Sequence, residues 1–468
     1  FRPPTEPLTN ITNTKLLCCN NSSTTGSTVT PGTITANGDP TASTDSPFDD
    51  PAAFVFGENE DQNVIKCGSY IGNGSTDGPE INLGWEPQWV MVKRTNNVGI
   101  WGMWDSMRGM VTGGDDPLLV PNESWVESDS DRITLTPTGF KLCATNGMEN
   151  NSGDDYIYIA IRRPDGYVGK PPELGTGVFS LATGTNNTIP GFVSGFPVDF
   201  SLRRPYASSS SWYAASRLTG TNYLVTDGTS SEASNSNQTF DYQNGIGKWG
   251  GDLTSWMSWQ WKRHAGFEVV TYKGDGVLGH HIPHSLNKTV EMMWVKRRNS
   301  SENWQVYHKG LNGGTTPENY YLILNTNDEE DVYPVWNDTA PTSTHFTVGN
   351  YGGINGDGDD FIAMLFASVE GISKVGYYDG SNSSQTITTG FQPRFVIIRR
   401  ANDQQDWVVL DTTRGWASGN DTRLELNNTS AGNNNTDFGA PISTGFTLEG
   451  GTAKCNASGG EFIYYAHA

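Results

Sequence analysis

An all-β fold is the class this sequence predicts: a tandem array of about four β-sandwich, jelly-roll-like modules preceded by an extended N-terminal segment. Three observations carry that expectation. The composition is turn-rich and aromatic: 55 Gly and 11% Phe, Trp and Tyr stand against only 17% charged residues, a balance that suits short strands joined by tight turns. An apolar strand ending in basic residues recurs, as Trp89-Val90-Met91-Val92-Lys93-Arg94, Met293-Trp294-Val295-Lys296-Arg297-Arg298 and Phe395-Val396-Ile397-Ile398-Arg399-Arg400, with a weaker copy at Phe200-Ser201-Leu202-Arg203-Arg204. A tryptophan follows each of them: Trp101, Trp212, Trp304 and Trp407. Self-similarity at a fixed period marks a repeat architecture.

The N-terminal 1–63 stand apart. Residues 20–46 are rich in Ser, Thr, Gly and Asn and read as a polar connector. Lys15-Leu16-Leu17-Cys18-Cys19 reads as a single strand whose sheet partners lie outside this chain, because a lone strand is not stable. The modules follow at 64–164, 165–266, 267–371 and 372–468, the second divergent. Each opens with a strand and a Gly/Asn/Asp turn, at Tyr70-Ile71-Gly72-Asn73-Gly74, Tyr272-Lys273-Gly274-Asp275-Gly276 and Tyr377-Tyr378-Asp379-Gly380, strong hairpin signals. The basic strand and its tryptophan come next. Then come Thr138-Gly139-Phe140-Lys141-Leu142, Thr344-His345-Phe346-Thr347-Val348 or Thr444-Gly445-Phe446-Thr447-Leu448. Each module closes on an aromatic strand: 156–161, 256–261, 361–366 or 462–465. Strict alternation assigns one face inward. No 3.6-residue period is sustained, so helices should be few. The joins are short, so neighbouring modules should pack closely, as a stacked row.

The formal net charge is −21. Phosphate recognition needs a basic surface, and anionic lipid repels an acidic one, so nucleic acid and membrane insertion are poor fits. No apolar run reaches the ~18 residues of a membrane span. Cys18, Cys19, Cys67, Cys143 and Cys455 are too few and too irregular for a disulfide framework. Buried apolar thiols are the simplest account, and Cys67–Cys143 is the pairing left open within one repeat. No Gly-x-Ser-x-Gly elbow, HExxH or Walker loop occurs, so no catalytic residue and no cofactor is assigned. Gly279-His280-His281-Ile282-Pro283-His284 offers imidazoles, but the Pro between them gives no assured metal geometry. Asn355-Gly356-Asp357-Gly358-Asp359-Asp360 imitates half a calcium loop without its closing Glu. Asn150-Asn151-Ser152-Gly153-Asp154-Asp155 holds the same place in the first module, so a repeated polar turn is the simpler reading.

The tryptophans at 101, 212, 304 and 407, one per module at a fixed place, read as core. Trp85, Trp125, Trp249 and Trp416 fall outside that register and are the better candidates for surface contacts; aromatic faces can stack on sugar rings. Asn-x-Ser/Thr sequons at Asn73, Asn122, Asn287, Asn299, Asn337, Asn382 and Asn456 follow from Asn/Ser/Thr richness and keep a secreted origin open.

Several long stretches resemble one family. Residues 54–70, ending Val64-Ile65-Lys66-Cys67-Gly68-Ser69-Tyr70, are similar to tail-fibre-type proteins of marine tailed phages, those of cyanobacteria and other abundant marine bacteria. So are Asn82-Leu83-Gly84-Trp85-Glu86-Pro87-Gln88-Trp89-Val90, Ile161-Arg162-Arg163-Pro164-Asp165-Gly166-Tyr167-Val168-Gly169-Lys170-Pro171, Trp261-Lys262-Arg263-His264-Ala265-Gly266-Phe267 and Trp336-Asn337-Asp338-Thr339-Ala340-Pro341. The start, Pro3-Pro4-Thr5-Glu6-Pro7-Leu8-Thr9-Asn10-Ile11-Thr12-Asn13-Thr14-Lys15-Leu16-Leu17, resembles the end of a laminin-G-like (concanavalin-like) domain, which implies that residue 1 lies inside a larger gene product. The resemblance implies a virion appendage, a homotrimer with other virion proteins as neighbours, adhesion to a bacterial surface polysaccharide, and no enzymatic step. Two other classes remain: a filament-forming or capsid-decorating protein without receptor binding, and a secreted carbohydrate-binding adhesin.

Overall fold

Strand alternation and repeated turn chemistry produce four sandwiches in the computed structural model, which describes residues 11–17, 28, 29, 35, 37, 64–248 and 251–468. In modules 2, 3 and 4 the large sheet has six antiparallel strands. The module's first strand lies at one edge, its last strand comes next, and the basic strand, the tryptophan strand and two shorter strands follow. In module 3 these are Phe267–Lys273, Asp360–Phe366, Met292–Arg297, Gln305–His308, Tyr320–Ile323 and Asp331–Val332. A small sheet, His280–Pro283 with His345–Val348, covers one face. Module 1 repeats the order over four strands, Ile65–Ile71, Asp155–Arg162, Pro87–Arg94 and Trp101–Asp105. Its two outer strands, Asp116–Leu118 and Ser128–Ser130, pair separately. Helix is confined, among the described residues, to Gly352–Asn355 and short 3-10 turns.

Val64–Ala468 packs as one unit and Phe1–Asn63 as another. In the latter, Leu16–Leu17 pairs antiparallel with Thr28–Val29. The strand expected to lack a partner in this chain therefore finds one within the polar connector. Cys18 and Cys19 lie outside the described residues.

The large sheets of modules 2, 3 and 4 bury both faces, for different reasons. The inner face meets its own small sheet. In module 3 that core holds Val270, Met293, Val295, Phe346, Ala363 and Leu365. A buried asparagine pins the hairpin beside it. The Asn355 amide donates to Asp275 Oδ1, Val277 O and Gly349 O and accepts from the Asp275 N–H. Asn150 and Asn456 do the same work in modules 1 and 4. The Asp-rich turns are thus built around a structural amide, as a repeated polar turn should be.

The outer faces of modules 2, 3 and 4 meet each other. Equal register places Trp261, Phe366 and His467 at one level of the closing strands and Trp259, Met364 and Tyr465 at the next. From the basic strands, Phe200, Met292 and Phe395 join them. The rings touch across modules: Phe179 with Phe395 at 5.1 Å, Trp261 with Phe267 at 5.9 Å and Phe366 with Tyr465 at 4.8 Å between centroids. Such contacts add to area burial.

The seams repeat cyclically. Trp304 Nε1 donates to Val225 O in module 2 at 2.8 Å, Trp407 Nε1 to Ile323 O in module 3 at 3.2 Å, and Trp212 Nε1 to Glu425 O in module 4 at 2.7 Å. All three acceptors end the same strand of their module. A cation follows the same circuit: Lys296 reaches Thr229 O, Arg399 reaches Asp328 O, and Arg204 reaches Thr429 O and Ser430 O. Burial lowers Lys296 to about 8 and Arg204 and Arg399 to about 10, because carbonyls rather than carboxylates receive them. Modules in tandem along the chain thus close into a pseudo-threefold ring, where sequence suggested an open row. Of the fixed tryptophans, Trp212, Trp304 and Trp407 are buried, as expected of core, but in the seams between modules; Trp101 is only partly buried. Sequence periodicity shows a face to be apolar and does not say what covers it.

Module 1 docks on modules 2 and 3 through a buried charge cluster. Arg263 Nη1 bonds both Glu86 oxygens at 2.9 and 3.0 Å. Arg163 pairs with Glu86 and Glu268, and Arg263 also reaches Asp199. Burial pushes the Asp199 carboxyl up, but Arg263 and Arg217 outweigh it and hold it below its ordinary value. Module 1 keeps its outer sheet face out of the ring. The register-equivalent residues there are Trp89, Met91, Ile159, Ile161 and Trp101, all only partly buried, while Ile65, Cys67 and Ile157 are exposed.

Candidate functional site

The tryptophans outside the repeat register separate cleanly. Trp85 and Trp416 are buried, the latter donating to Gly439 O at 2.9 Å, and neither offers a surface. Trp249 lies outside the described residues. Trp125 is 60% exposed. It stands on the loop after Asp116–Leu118 and walls a groove of about 420 Å³ in module 1 with Arg94, Val98, Arg132, Asn146 and Met148. The loop reaches the end of the sheet where the basic strand turns into the tryptophan strand, so the groove lies at a module end.

Its polar wall is held rigidly. Arg94 pairs with Asp154. Arg132 donates from Nη1 to Glu149 Oε1 at 2.8 Å and from Nε to Ser130 Oγ at 2.8 Å. Glu149 is fully buried, and burial raises its carboxyl to about 7. It precedes the hairpin-pinning Asn150, a place held by Ile354 and Cys455 in modules 3 and 4. In all three modules the backbone carbonyl at this place accepts a tyrosine hydroxyl, from Tyr70, Tyr272 or Tyr378. Only in module 1 does the side chain there carry a charge and anchor a groove residue. A buried carboxyl must be hydrogen-bonded to be tolerated, and here its partner is the groove arginine. Glu149 escaped the sequence reading; aligning the three Asn-preceding positions would have exposed it.

Asp116, close by, is also raised by burial to about 7. It accepts from the Val111, Arg132 and Ile133 N–H groups. Asp421 in module 4 accepts from Ala417 and Phe438 in the same way and is raised to about 6. A carboxyl repeated in a second module and fully buried in both is a loop fastener, out of reach of substrate. The groove can therefore stack an apolar ring face on Trp125 and donate hydrogen bonds from Arg94 and Arg132, each guanidinium having donors beyond those its carboxylate takes.

The other motifs resolve as follows. His280 Nδ1 meets Asn355 Oδ1 at 3.1 Å, His281 packs edge-on against His345, and His284 is buried. Among the described residues no group of three or more His, Cys, Asp or Glu is placed to hold a metal ion. Cys67, Cys143 and Cys455 are free thiols, so the Cys67–Cys143 bridge does not form. Asn456 is fully buried within its hairpin, which denies that sequon to a glycan in the folded chain. No helix among the described residues is long and apolar enough to cross a membrane.

No curated protein matches this sequence, and no solved structure does. One family profile matches, described as a domain of unknown function, DUF7483, over residues 7–163 and 209–468. With most of its length matched in this way, the chain belongs to the DUF7483 family.

Proposed function

We propose that this chain is a non-enzymatic virion appendage of the tail-fibre type, which adheres to a glycan on the surface of a bacterial host. The observation that carries the adhesive part is the module 1 groove: an exposed Trp125 faces guanidinium donors, one of them fixed by a buried Glu149 that sister modules replace with Ile354 and Cys455. Aromatic stacking plus fixed donors suits a sugar. The appendage part is supported by the likeness to phage fibre sequences and by the modular build. The net charge of −21 argues against nucleic acid or anionic lipid as the partner.

The test is binding of the purified chain to polysaccharide and lipopolysaccharide extracted from candidate marine hosts, with immunogold labelling of native particles. Trp125→Ala should weaken binding at least tenfold and leave thermal melting unchanged. Gold should decorate tail appendages. Equal binding by the variant, or gold spread evenly over capsids, would overturn the reading.

A further inference from the structure

We infer that module 3 carries a second binding site, a tyrosine corner walled by Glu302 and Asp331 that takes an organic ammonium group, as an unacetylated amino sugar or a choline substituent presents it. The first ground is place. Trp101 and Trp304 hold the same position in their modules, and Asn122 and Asn325 fasten their backbone N–H groups. Counted from these anchors, Glu302 falls on Gly99 and Tyr321 on Leu118. Across the strand pair, Tyr321 faces Asp331 as Leu118 faces Ser128. Tyr351 falls on Asn146, and the carbonyl of each accepts the N–H of its module's hairpin-pinning asparagine. Gly99, Leu118, Ser128 and Asn146 all line the module 1 groove, so the repeat brings their module 3 counterparts to one surface as well. The connecting loops are equal in length, which puts Asp328 where Trp125 stands.

The second ground is chemistry. Tyr333 is 48% exposed and meets the Tyr351 ring at 5.8 Å between centroids and 74° between planes, which makes a corner of two π faces. The Tyr321 hydroxyl donates to Asp331 Oδ2 at 3.4 Å and the Tyr351 hydroxyl to Glu302 Oε1 at 3.3 Å, tying the carboxylates to the rings. Ring faces and carboxylates both attract a cation. Among the described residues Glu302, Asp328, Glu329 and Asp331 form no ion pair. Lys296 and Arg399, whose charges reach Glu302 and Asp328, direct their donors to backbone carbonyls. Arg297, in the place of Arg94, is likewise paired, with Asp359. Among the described residues no group of three or more His, Cys, Asp or Glu is placed to hold a metal ion, which leaves a cation large enough to lie on the rings. The repeat does not demand this set. Module 4 has Arg423, Asn433 and Thr452 in the places of Tyr321, Asp331 and Tyr351, and module 2 sets Ala233 opposite Tyr223. A chain of net charge −21 also draws cations towards it.

The corner shares no residue with the module 1 groove, so either site can fail alone. The experiment is isothermal titration calorimetry of the full 468-residue chain with a short glucosamine oligosaccharide, its N-acetylated counterpart and choline, and with Tyr333→Ala and Asp331→Asn as variants. Both side chains are exposed, so both variants should keep the wild-type melting profile. The expected result is saturable binding of the glucosamine oligosaccharide, of choline or of both, with a loss of at least tenfold in each variant. The tighter of the two ligands names the source of the ammonium group. Binding of neither would overturn the inference. So would an N-acetylated oligosaccharide bound as tightly as the tighter ligand, since the amine would then not be what is recognised. An affinity that either variant leaves unchanged would overturn it too, because the net charge of the chain, and not the corner, would then be holding the cation.

Discussion

Replacing Trp304 by phenylalanine removes one hydrogen bond from the seam between modules 2 and 3. The indole N–H donates 2.8 Å to the Val225 carbonyl, and the side chain is fully buried. Phenylalanine keeps the aromatic packing but leaves that carbonyl without the donor, a loss of about 1–3 kcal/mol. The smaller ring leaves a void of roughly 40 Å³, which at about 24 cal/mol per Å³ adds about 1 kcal/mol. The sum is about 2–4 kcal/mol, and the cyclic repetition of the contact predicts a similar sum for Trp212→Phe and Trp407→Phe. Trp101→Phe is the internal control: its ring is partly exposed and has no neighbouring module, so in the monomer it should cost within about 0.5 kcal/mol. Urea unfolding followed by far-UV circular dichroism, at dilutions where the chain is monomeric, reads these values as midpoint shifts at unchanged slope. Equal costs at all four positions would refute the seam argument, because a tryptophan that serves its own module's core would behave alike in each.

Three further outcomes follow from the packing. Glu86→Gln leaves the buried Arg263 and Arg163 guanidiniums undercompensated and should destabilise by about 3–5 kcal/mol. Lys170→Ala, in an exposed pair with Glu173, should cost about 0–1 kcal/mol; melting curves separate the two, and equal effects would discount the cluster. His308 accepts from the Gly310 N–H and contacts Tyr464 O, and burial lowers it to about 3. The unfolded imidazole protonates near 6.5, so the unfolded state holds more protons between these values and stability falls as pH drops from 6.5 towards 3. The slope is up to about 1.4 kcal/mol per pH unit, and His308→Gln should flatten the measured pH profile by that much; an unaltered profile would count against a neutral buried ring. Asn355→Ala should cost about 2–4 kcal/mol, since it orphans several buried backbone groups, and should speed hydrogen exchange at the Asp275 amide, which a wild-type rate there would contradict.

Much of the fold was legible because both signals that predict it are local. Alternation put Phe361, Ala363 and Leu365 on one strand face, and Asn-Gly and Asp-Gly turns delimited the hairpins. The observed strands Phe200–Pro205 and Asp360–Phe366 lie within a residue of the expected ones. The site was legible only in part. Being out of register pointed equally to Trp85, Trp125 and Trp416, and only Trp125 is exposed. The other two are buried within modules 1 and 4, which linear spacing cannot reveal.

Sequence by itself determined the all-β class, the repeated unit, the structural character of the Asp-rich turns and an apolar inward sheet face, since each depends on neighbours within a few residues. Tertiary structure alone decided that the outer faces of modules 2, 3 and 4 are buried as well, and what covers them. Trp212, Trp304 and Trp407 are sealed by another module's strand end, while Trp101, in the same place of the same repeat, is not. Burial on an outer face is a property of the pair of surfaces that meet, and the partner of each seam lies some 80 to 210 residues away along the chain. No pattern within a single repeat encodes which neighbour will arrive.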